Sequence, residues 1–325
     1  MEFNMSTVKW GLIGCGDIAN KRVGPALRDL KNCELLAVSR KRFDLAQSFA
    51  DKFGAKKTYK TWQELLGDDE IEAVYIATPV NLHCEQTIAA AEAGKHVLCE
   101  KPMGLNPDEC DRMINACRVN NVKLGIAYYR HLYPIIERIK QIVSSGEIGR
   151  PVMAQINAFE YFDPPADTPR NWFLKKAEAG GGPMFDFGCH RIEVLLNIFG
   201  KIKSAHGFAG NIIFEREVED TSTAHIVFES GAWAVLSVSH AAFEPQDTLD
   251  IFGTEGSLHV PKLNGGNLEI LTAKKRSTEQ HLPAENIHEP LIDDFTRAVL
   301  ENKEPVVGGK KSKEVALIEE QIYAS

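Results

Sequence analysis

An aspartate and a histidine in this chain have the residue types and the spacing that proton transfer requires. Asp186 and His190 lie four residues apart in a segment with a helical pattern, so their side chains are expected on one face of a helix. A histidine titrates near neutral pH, which suits a general acid or base. Such a pair is also a common helix-surface contact. Glu193 continues the face one turn later, but no fourth ligand is spaced to complete a metal site, and none is predicted.

A glycine-rich turn near the start of the chain suits phosphate binding. It reads Gly14-Cys15-Gly16-Asp17-Ile18-Ala19 and matches G-x-G-x-x-A. Gly14 permits a tight turn, Gly16 lets a pyrophosphate approach the backbone, and Ala19 keeps the following helix close to the strand. The N–H groups at the start of that helix, around Asp17 and Ile18, favour anions. Because the turn joins a predicted strand to a predicted helix, it indicates dinucleotide binding rather than an ordinary glycine turn.

The end of the second predicted strand indicates which dinucleotide is bound. Proteins that bind NAD usually place an acidic residue there for the ribose 2′-hydroxyl, whereas this strand ends in Ser39, Arg40 and Lys41-Arg42. Ser39 can hydrogen-bond a 2′-phosphate, and Arg40 can pair with it and stack on the adenine. The segment therefore favours NADP, with NAD as the alternative. An ordinary run of solvent-exposed charged residues at a strand end would give the same sequence pattern.

The whole chain has the composition of a globular protein with two domains. It has 325 residues, a net charge of −8, 44% hydrophobic and 25% charged residues. The negative charge argues against a general nucleic-acid binder, and no apolar stretch is long enough to span a membrane. Residues 1–7 lack the pattern of a signal peptide, and the seven cysteines include no C-x-x-C pair. We therefore expect a cytoplasmic protein with reduced thiols.

The predicted strands and helices place these motifs on two different kinds of domain. Residues 1–127 alternate continuous apolar strands with helices, which predicts a doubly wound parallel sheet. Residues 128–325 predict an α+β domain on a largely antiparallel sheet, with Glu229-Ser230-Gly231 as a hairpin turn. The expected strands of the first domain are 8–13, 34–38, 73–77, 96–99 and 123–127, and its helices are 17–30 (interrupted at Gly24-Pro25), 43–53, 61–66, 82–93 and 107–119. The expected elements of the second are helices 134–145, 184–198, 290–301 and 312–323 and strands 152–162, 205–213, 221–229, 232–240, 248–252 and 268–272.

Three motifs give the chain a family resemblance. Thr78-Pro79-Val80-Asn81-Leu82-His83 follows one predicted strand, Glu100-Lys101-Pro102 follows the next, and the block 180–190 begins with three glycines and ends at His190. Together with the glycine-rich turn, they closely resemble the glucose–fructose oxidoreductase / inositol dehydrogenase (Gfo/Idh/MocA) family. The resemblance implies a Rossmann domain followed by an α/β domain with an open, mainly antiparallel sheet. It also implies NAD(P)-dependent hydride transfer on a sugar, cyclitol or similar polyol.

The same resemblance implies roles for the motif residues. Lys101 corresponds to the catalytic lysine, whose ammonium can stabilise negative charge on the reacting oxygen. The Lys101–Pro102 peptide is expected to be cis, and Glu100 is expected to contact the nicotinamide ribose. Asp186 corresponds to a residue that binds a substrate hydroxyl, and His190 to one that exchanges a proton with the reacting carbinol.

Further contacts are expected around these residues. Thr78, Pro79, Asn81 and His83 are expected on the nicotinamide side of the cofactor, although His83 could instead cap a helix. Four side chains are expected to contact substrate, and for the tryptophan a place in the core is the alternative; they are Tyr128, Arg130, Tyr161 and Trp172.

Together, these expectations predict an NADP(H)-dependent oxidoreductase acting on a sugar, polyol, cyclitol or diol. One alternative is a glycosidase that uses tightly held NAD transiently, which the basic strand end disfavours. Another is a non-catalytic NAD(P)-binding sensor, which the joint presence of Lys101, Asp186 and His190 disfavours. An open sheet leaves a face that needs cover, so a homodimer or homotetramer formed through residues 205–272 is expected, with no nucleic-acid or membrane partner.

Overall fold

The computed structural model describes residues 6–325 and divides the chain into two compact units. The first unit runs up to Tyr129 and also includes Ala284–Lys313, while the second consists of Arg130–Pro283 and Glu314–Ser325. A single boundary after residue 127 does not describe this division, because the chain returns to the first unit near its end. There, Phe295 packs its ring 5.6 Å from that of Trp10 in the first strand. Residues 1–5, which belong to the segment compared above with a signal peptide, lie outside the described residues.

The first unit is a six-stranded parallel sheet with the strand order β3-β2-β1-β4-β5-β6. Its strands are largely buried, β4 at every residue, as continuous apolar runs predict for strands covered on both faces. This order places the ends of β1 and β4 side by side, where the order of strands reverses and ligands bind. The strands are β1 Val8–Ile13, β2 Cys33–Ser39, β3 Lys57–Tyr59, β4 Ala73–Ile76, β5 His96–Cys99 and β6 Leu124–Ile126. The helices are α1 Gly24–Asp29, α2 Phe43–Phe53, α3 Trp62–Leu66, α4 His83–Glu92 and α5 Pro107–Val119.

The predicted interruption at Gly24-Pro25 is wrong, because the helical segment continues through these residues. A π-helical turn, Ala19–Val23, precedes α1, and the Gly24 N–H bonds the carbonyl of Ala19, five residues earlier. The π turn directly precedes α1, whose second residue, Pro25, has no N–H to donate to the preceding turn.

The second unit is built on an eight-stranded sheet in the order β14-β13-β12-β11-β7-β10-β9-β8. All its pairings are antiparallel except that of β7 with β10, so the predicted mainly antiparallel sheet is confirmed. Its strands are β7 Pro151–Tyr161, β8 Ile202–Gly210, β9 Thr221–Phe228, β10 Trp233–Ser239, β11 Ala241–Gly253, β12 Gly256–Val260, β13 Asn267–Thr272 and β14 Arg276–Gln280. The remaining helices of the chain are α6 Pro134–Ser145, α7 Lys176–Ala179, α8 Cys189–Phe199, α9 Glu289–Leu300 and α10 Gly309–Tyr323.

Three strands were not foreseen, namely β3, β12 and β14. They have three to five residues each, and β14 alternates exposed and half-buried polar side chains, so none carries a long apolar signal. The hairpin turn at Glu229-Ser230-Gly231 is confirmed between β9 and β10. Within residues 6–325, no helix is both long and apolar enough to cross a bilayer.

A two-point ion pair joins α6 to the edge strand β14, and its removal is expected to destabilise the second unit. Arg138 donates to both carboxylate oxygens of Glu279, at 2.8 and 3.0 Å, which lowers the pKa of Glu279 to about 2. We expect Arg138→Met to lower the free energy of unfolding by about 2 kcal/mol at pH 7. Because the folded pKa is depressed, this stabilisation is complete above the unfolded pKa of about 4.3 and is lost as the pH falls through 2.

Denaturant unfolding at pH 7 and pH 3 measures this prediction. The difference between wild type and Arg138→Met should roughly halve at pH 3. Arg276→Met is the matched control, since Arg276 pairs with Glu269 on an exposed surface and should cost less than about 0.5 kcal/mol. Equal losses in the two variants, or a difference that does not change with pH, would contradict the assignment.

Candidate functional site

The glycine-rich turn of the first unit has the shape that close approach of a phosphate requires. Gly14 has φ +95°, and a Cβ atom there would lie 2.6 Å from the carbonyl oxygen of Ala77, just beyond β4. Gly14 is therefore needed for the backbone itself. Gly16 differs, because no atom lies within 4 Å of the position that its Cβ would occupy. A side chain at Gly16 would fill a space beside the turn, as expected where a pyrophosphate meets the backbone.

The end of β2 lies directly against this turn. The N–H of Gly14 donates to the carbonyl of Ser39 at 3.0 Å, and Arg40 donates to the carbonyl oxygen of Cys15. Arg42 instead forms an exposed ion pair with Asp44 at 2.7 Å. Of these two arginines, Arg40 is the one in contact with the glycine-rich turn.

The start of the following helix presents its backbone rather than its side chains. The carboxylate of Asp17 is exposed and pairs with Lys21 at 2.9 Å, and Ile18 is half-buried. A contribution of these two residues to anion binding therefore comes from their N–H groups and the helix dipole.

His83 connects the two loops that follow β4 and β5. Its Nε2 lies 2.9 Å from the carbonyl oxygen of Thr78, and its Nδ1 lies 2.9 Å from that of Pro102. Both ring nitrogens face carbonyl oxygens rather than the N–H groups at the start of α4 that a helix cap would bind, so the helix-cap alternative is not what the structure shows. Burial lowers the pKa of His83, opposed by these two carbonyls. The ring therefore holds the Thr78 loop against the loop that carries Lys101.

Glu100 is buried at the end of β5 and is surrounded by protein groups. Tyr75 donates to its Oε1 at 2.7 Å, His288 Nε2 lies 3.5 Å from the same oxygen, and the Lys101 N–H donates to Oε2 at 3.3 Å. Burial raises the pKa of Glu100, but His288, Tyr75 and Lys101 outweigh it, so the net shift is downward. The contact of Glu100 with a ribose stays a prediction; what the structure shows is a carboxylate that supports the Lys101 backbone.

The peptide between Lys101 and Pro102 is cis, as the resemblance implied, and the Lys101 side chain is half-buried. The neighbouring loop carries Thr78, which donates to Gln86 at 2.7 Å, and Asn81, which is exposed in a short 3₁₀ turn, Val80–Leu82, that follows Pro79. These residues thus lie at the carboxyl edge of the parallel sheet, where the sequence placed them.

In the second unit, the glycine run lies against other parts of the protein itself. A Cβ at Gly182 would lie 2.0 Å from the carbonyl oxygen of Glu219, and one at Gly181 would lie 2.5 Å from the Tyr323 hydroxyl. The Glu219 carboxylate also accepts hydrogen bonds from the N–H groups of Gly182, at 2.8 Å, and Met184, at 3.2 Å. These glycines make room for the protein's own Glu219 and Tyr323, rather than for a ligand at the helix start.

Asp186 and His190 lie on consecutive turns, as predicted, but the first of these turns is not α-helical. Residues Met184–Gly188 form a π turn that continues directly into α8. Such turns are frequent at functional sites. Asp186 is half-buried and His190 is buried. Oε1 of Glu193 lies 2.5 Å from Nδ1 of His131, so this carboxylate already has a partner in the protein.

Two residues next to Asp186 were not foreseen. Ligand atoms of Glu160, Asp186 and His240 all lie within 4.8 Å of one another. Burial raises the pKa of Glu160, and the charge of Asp186 raises it further. No local motif marks Glu160, which lies in β7, or His240, which lies between β10 and β11. The same set is a candidate cation site, different from the one considered from Asp186, His190 and Glu193.

The four predicted substrate contacts occupy different environments. Tyr128 and Arg130 are buried, and Trp172 is half-buried and stacks on Phe173 with ring centroids 3.9 Å apart. Tyr161 is 66% exposed at the end of β7. Their contact with a substrate stays a prediction.

Comparison with known proteins identifies the family. The model for the oxidoreductase family with an NAD-binding Rossmann fold matches residues 8–128, and that for the GFO/IDH/MocA C-terminal domain matches residues 136–259. The 1,5-anhydro-D-fructose reductase of Ensifer adhaerens is 29% identical over 313 residues, 93% of this chain and 91% of the relative. The trans-1,2-dihydrobenzene-1,2-diol dehydrogenase of Mus musculus is 31% identical over 259 residues, 79% of this chain and 75% of the relative.

A solved structure shares the fold throughout. Levoglucosan dehydrogenase in complex with NADH and L-sorbose has a TM-score of 0.90 and 24% identity, covering 99% of this chain and 97% of that one. The family-model matches agree with the glycine-rich turn and with the strand order of the parallel sheet. The chain therefore belongs to the GFO/IDH/MocA family and is an NAD(P)-dependent oxidoreductase.

Proposed function

We propose that this enzyme uses NADP(H) to interconvert a hydroxyl and a carbonyl carbon of a sugar, polyol, cyclitol or diol. The observation that carries the proposal is the space beside Gly16, which adjoins the turn that Arg40 contacts. The substrate class draws on the relatives, which are named for an anhydro sugar and for a diol.

The first unit supplies the groups that would hold the cofactor. The backbone of Gly14, Gly16, Asp17 and Ile18 would face the phosphates, and Ser39 and Arg40 would meet the adenine ribose and its 2′-phosphate. Thr78, Pro79, Asn81, His83 and Glu100 stand at the nicotinamide end. When bound, the nicotinamide accepts or donates the hydride.

The chain's own residues then manage the proton and the charge. His190 takes the hydroxyl proton as the carbinol is oxidised and returns it in the reverse direction. The Lys101 ammonium hydrogen-bonds the reacting oxygen and stabilises its developing negative charge. Asp186 accepts a hydrogen bond from a substrate hydroxyl, and further substrate contacts come from Tyr128, Arg130, Tyr161 and Trp172.

One face of the second sheet supports self-association in the cytoplasm. Strand register places Phe208, Trp233, Phe252 and Leu271 on the same face, and their exposed fractions are 80%, 55%, 37% and 46%. Such an exposed apolar face is typical of a protein interface. We assign it to a homodimer or homotetramer, which sedimentation of the purified chain measures.

A substrate panel tests the function. Sugars, polyols, inositols and diols are offered to the purified enzyme with NADP⁺ and NAD⁺ in parallel, and the reduced cofactor is followed by absorbance. Turnover that depends on added NADP⁺ supports the proposal. A cofactor that co-purifies and never exchanges points to the glycosidase alternative, and cofactor binding without any turnover points to the sensor.

Arg40 should set the preference between the two cofactors. We expect Arg40→Ala to weaken NADPH binding about tenfold, because a charge-assisted contact to the 2′-phosphate is lost, and to change NADH binding less than twofold. Dissociation constants from fluorescence titration measure both. Arg42→Ala is the control, since Arg42 is exposed and paired with Asp44, and it should leave the ratio unchanged. An equal loss for both cofactors would assign Arg40 to holding the glycine-rich turn instead.

A further inference from the structure

Behind Asp186, the second unit holds a buried histidine that none of the roles above uses. His240 lies between β10 and β11, and its side chain is 1% exposed. Its Nε2 atom lies 3.5 Å from Oδ2 of Asp186 and has no hydrogen-bond partner among the described residues. A buried polar atom directed at a carboxylate at this distance requires an explanation.

Arg216 determines which ring nitrogen of His240 carries the proton. Its Nη2 lies 3.0 Å from His240 Nδ1. A guanidinium can only donate hydrogen bonds, so Nδ1 must accept, and the proton of the neutral ring is then on Nε2. Arg216 is itself held in place, since it donates to the carbonyl oxygens of Phe162 at 3.0 Å and Glu219 at 2.9 Å.

The ring of His240 is also fixed by its packing. The ring centroids of Phe162 and Phe187 lie 4.9 and 5.0 Å from its own. Its backbone N–H donates to Asp220 and its carbonyl accepts from Phe162, both at 2.8 Å. These contacts hold the ring in a fixed position, with Nε2 3.5 Å from Oδ2 of Asp186.

We propose that Arg216 and His240 are positioning residues, in which the Nε2–H of His240 orients the Asp186 carboxylate to accept a hydrogen bond from a substrate hydroxyl. The substrate contact rests on the proposed function, whereas the arrangement of Arg216, His240 and Asp186 does not.

Glu160 explains why Asp186 needs such support. Two carboxylates this close disfavour joint ionisation, and one of them tends to keep its proton. Burial and the charge of Asp186 raise the pKa of Glu160, while His240, Arg170 and Arg191 oppose the shift. A donor at Asp186 therefore gives this carboxylate a partner that Glu160 does not supply.

A divalent cation on the same three side chains is the competing interpretation. A metal needs the lone pair of Nε2, which would move the ring proton to Nδ1. Nδ1 would then present a proton to the guanidinium of Arg216, where two donors would oppose each other. The contact with Arg216 therefore favours the hydrogen-bonded arrangement.

The first test reads the tautomer and needs no substrate. The enzyme is labelled with ¹⁵N-histidine, and the ring signals of His240 are identified by their loss in His240→Gln. We expect the Nε2–H tautomer in the wild type and a mixture of tautomers in Arg216→Met. The Nδ1–H tautomer in the wild type would overturn the proposal. So would a shift of the His240 signals on adding equimolar Zn²⁺ or Mg²⁺, which would establish the cation site.

The second test separates positioning from packing, with a substrate found in the panel. Glutamine can accept from Arg216 and donate to Asp186, whereas leucine can do neither. We expect His240→Leu to raise KM at least tenfold, with NADPH affinity unchanged, and His240→Gln to stay within threefold of wild type.

Equal effects of His240→Leu and His240→Gln on KM would overturn the positioning role. If the panel yields no substrate, the tautomer measurement still decides the arrangement, so the two proposals fail separately.

Discussion

Lys101→Ala should lower kcat about 10³-fold while changing the dissociation constant of NADPH less than threefold. The side chain follows β5 at the carboxyl edge of the parallel sheet, and its backbone is held by the buried Glu100 carboxylate and a cis peptide to Pro102. An ammonium that stabilises charge on the reacting oxygen acts in the transition state, so its loss reduces turnover rather than cofactor affinity. Losses of 10²- to 10⁴-fold are usual for a group that takes part in proton transfer.

Steady-state kinetics and fluorescence titration measure the two quantities on the same preparation. Lys95→Met is the matched control, because Lys95 precedes the same strand at its other end and donates to the carbonyl of Asp68 at 2.9 Å. We expect it to reduce stability while leaving kcat within twofold. Equal losses of turnover and cofactor affinity in Lys101→Ala would remove the catalytic assignment.

The parallel sheet could be predicted because its signals are local. Each strand is a continuous apolar run, and the residues with chemistry follow directly at its end, as Glu100 and Lys101 follow β5. Residues that directly follow a strand stay at its end in the fold, however the rest of the chain is arranged. Arg40 was chosen among its neighbours for its place next to the end of β2; the structure puts it against the glycine-rich turn, and its contact with a 2′-phosphate stays a prediction.

The second unit shows where sequence reasoning stops. The glycine run was found, but its partner Glu219 lies 37 residues away and no local pattern announces it. Glu160 and His240 are brought together by the pairing of β7 with β10 and β11, and Arg216 contacts His240 from the loop between β8 and β9; periodicity predicts neither. The bridging role of His83 was missed for the same reason, since one of its partners is the carbonyl of Pro102.

Gly16→Ala should abolish tight cofactor binding without destabilising the protein. No atom lies within 4 Å of the new Cβ, so we expect the free energy of unfolding without cofactor to change by less than about 0.5 kcal/mol. The methyl group would occupy the space through which a pyrophosphate reaches the backbone, and we expect the dissociation constants of NADPH and NADH to rise at least tenfold. Denaturant unfolding and fluorescence titration measure the two effects separately.

Gly14→Ala provides the opposite case on the same turn. Its φ of +95° is unfavourable for alanine, and the Cβ would stand 2.6 Å from the Ala77 carbonyl oxygen, so we expect a loss of roughly 3 kcal/mol of stability before any cofactor is added. If Gly14 is needed for the fold and Gly16 for the ligand, Gly14→Ala should lower the stability and Gly16→Ala should lower only the cofactor affinity. Wild-type affinity for both cofactors in Gly16→Ala would show that the space beside this glycine is not where the phosphates bind, and the observation that carries the proposed function would be lost.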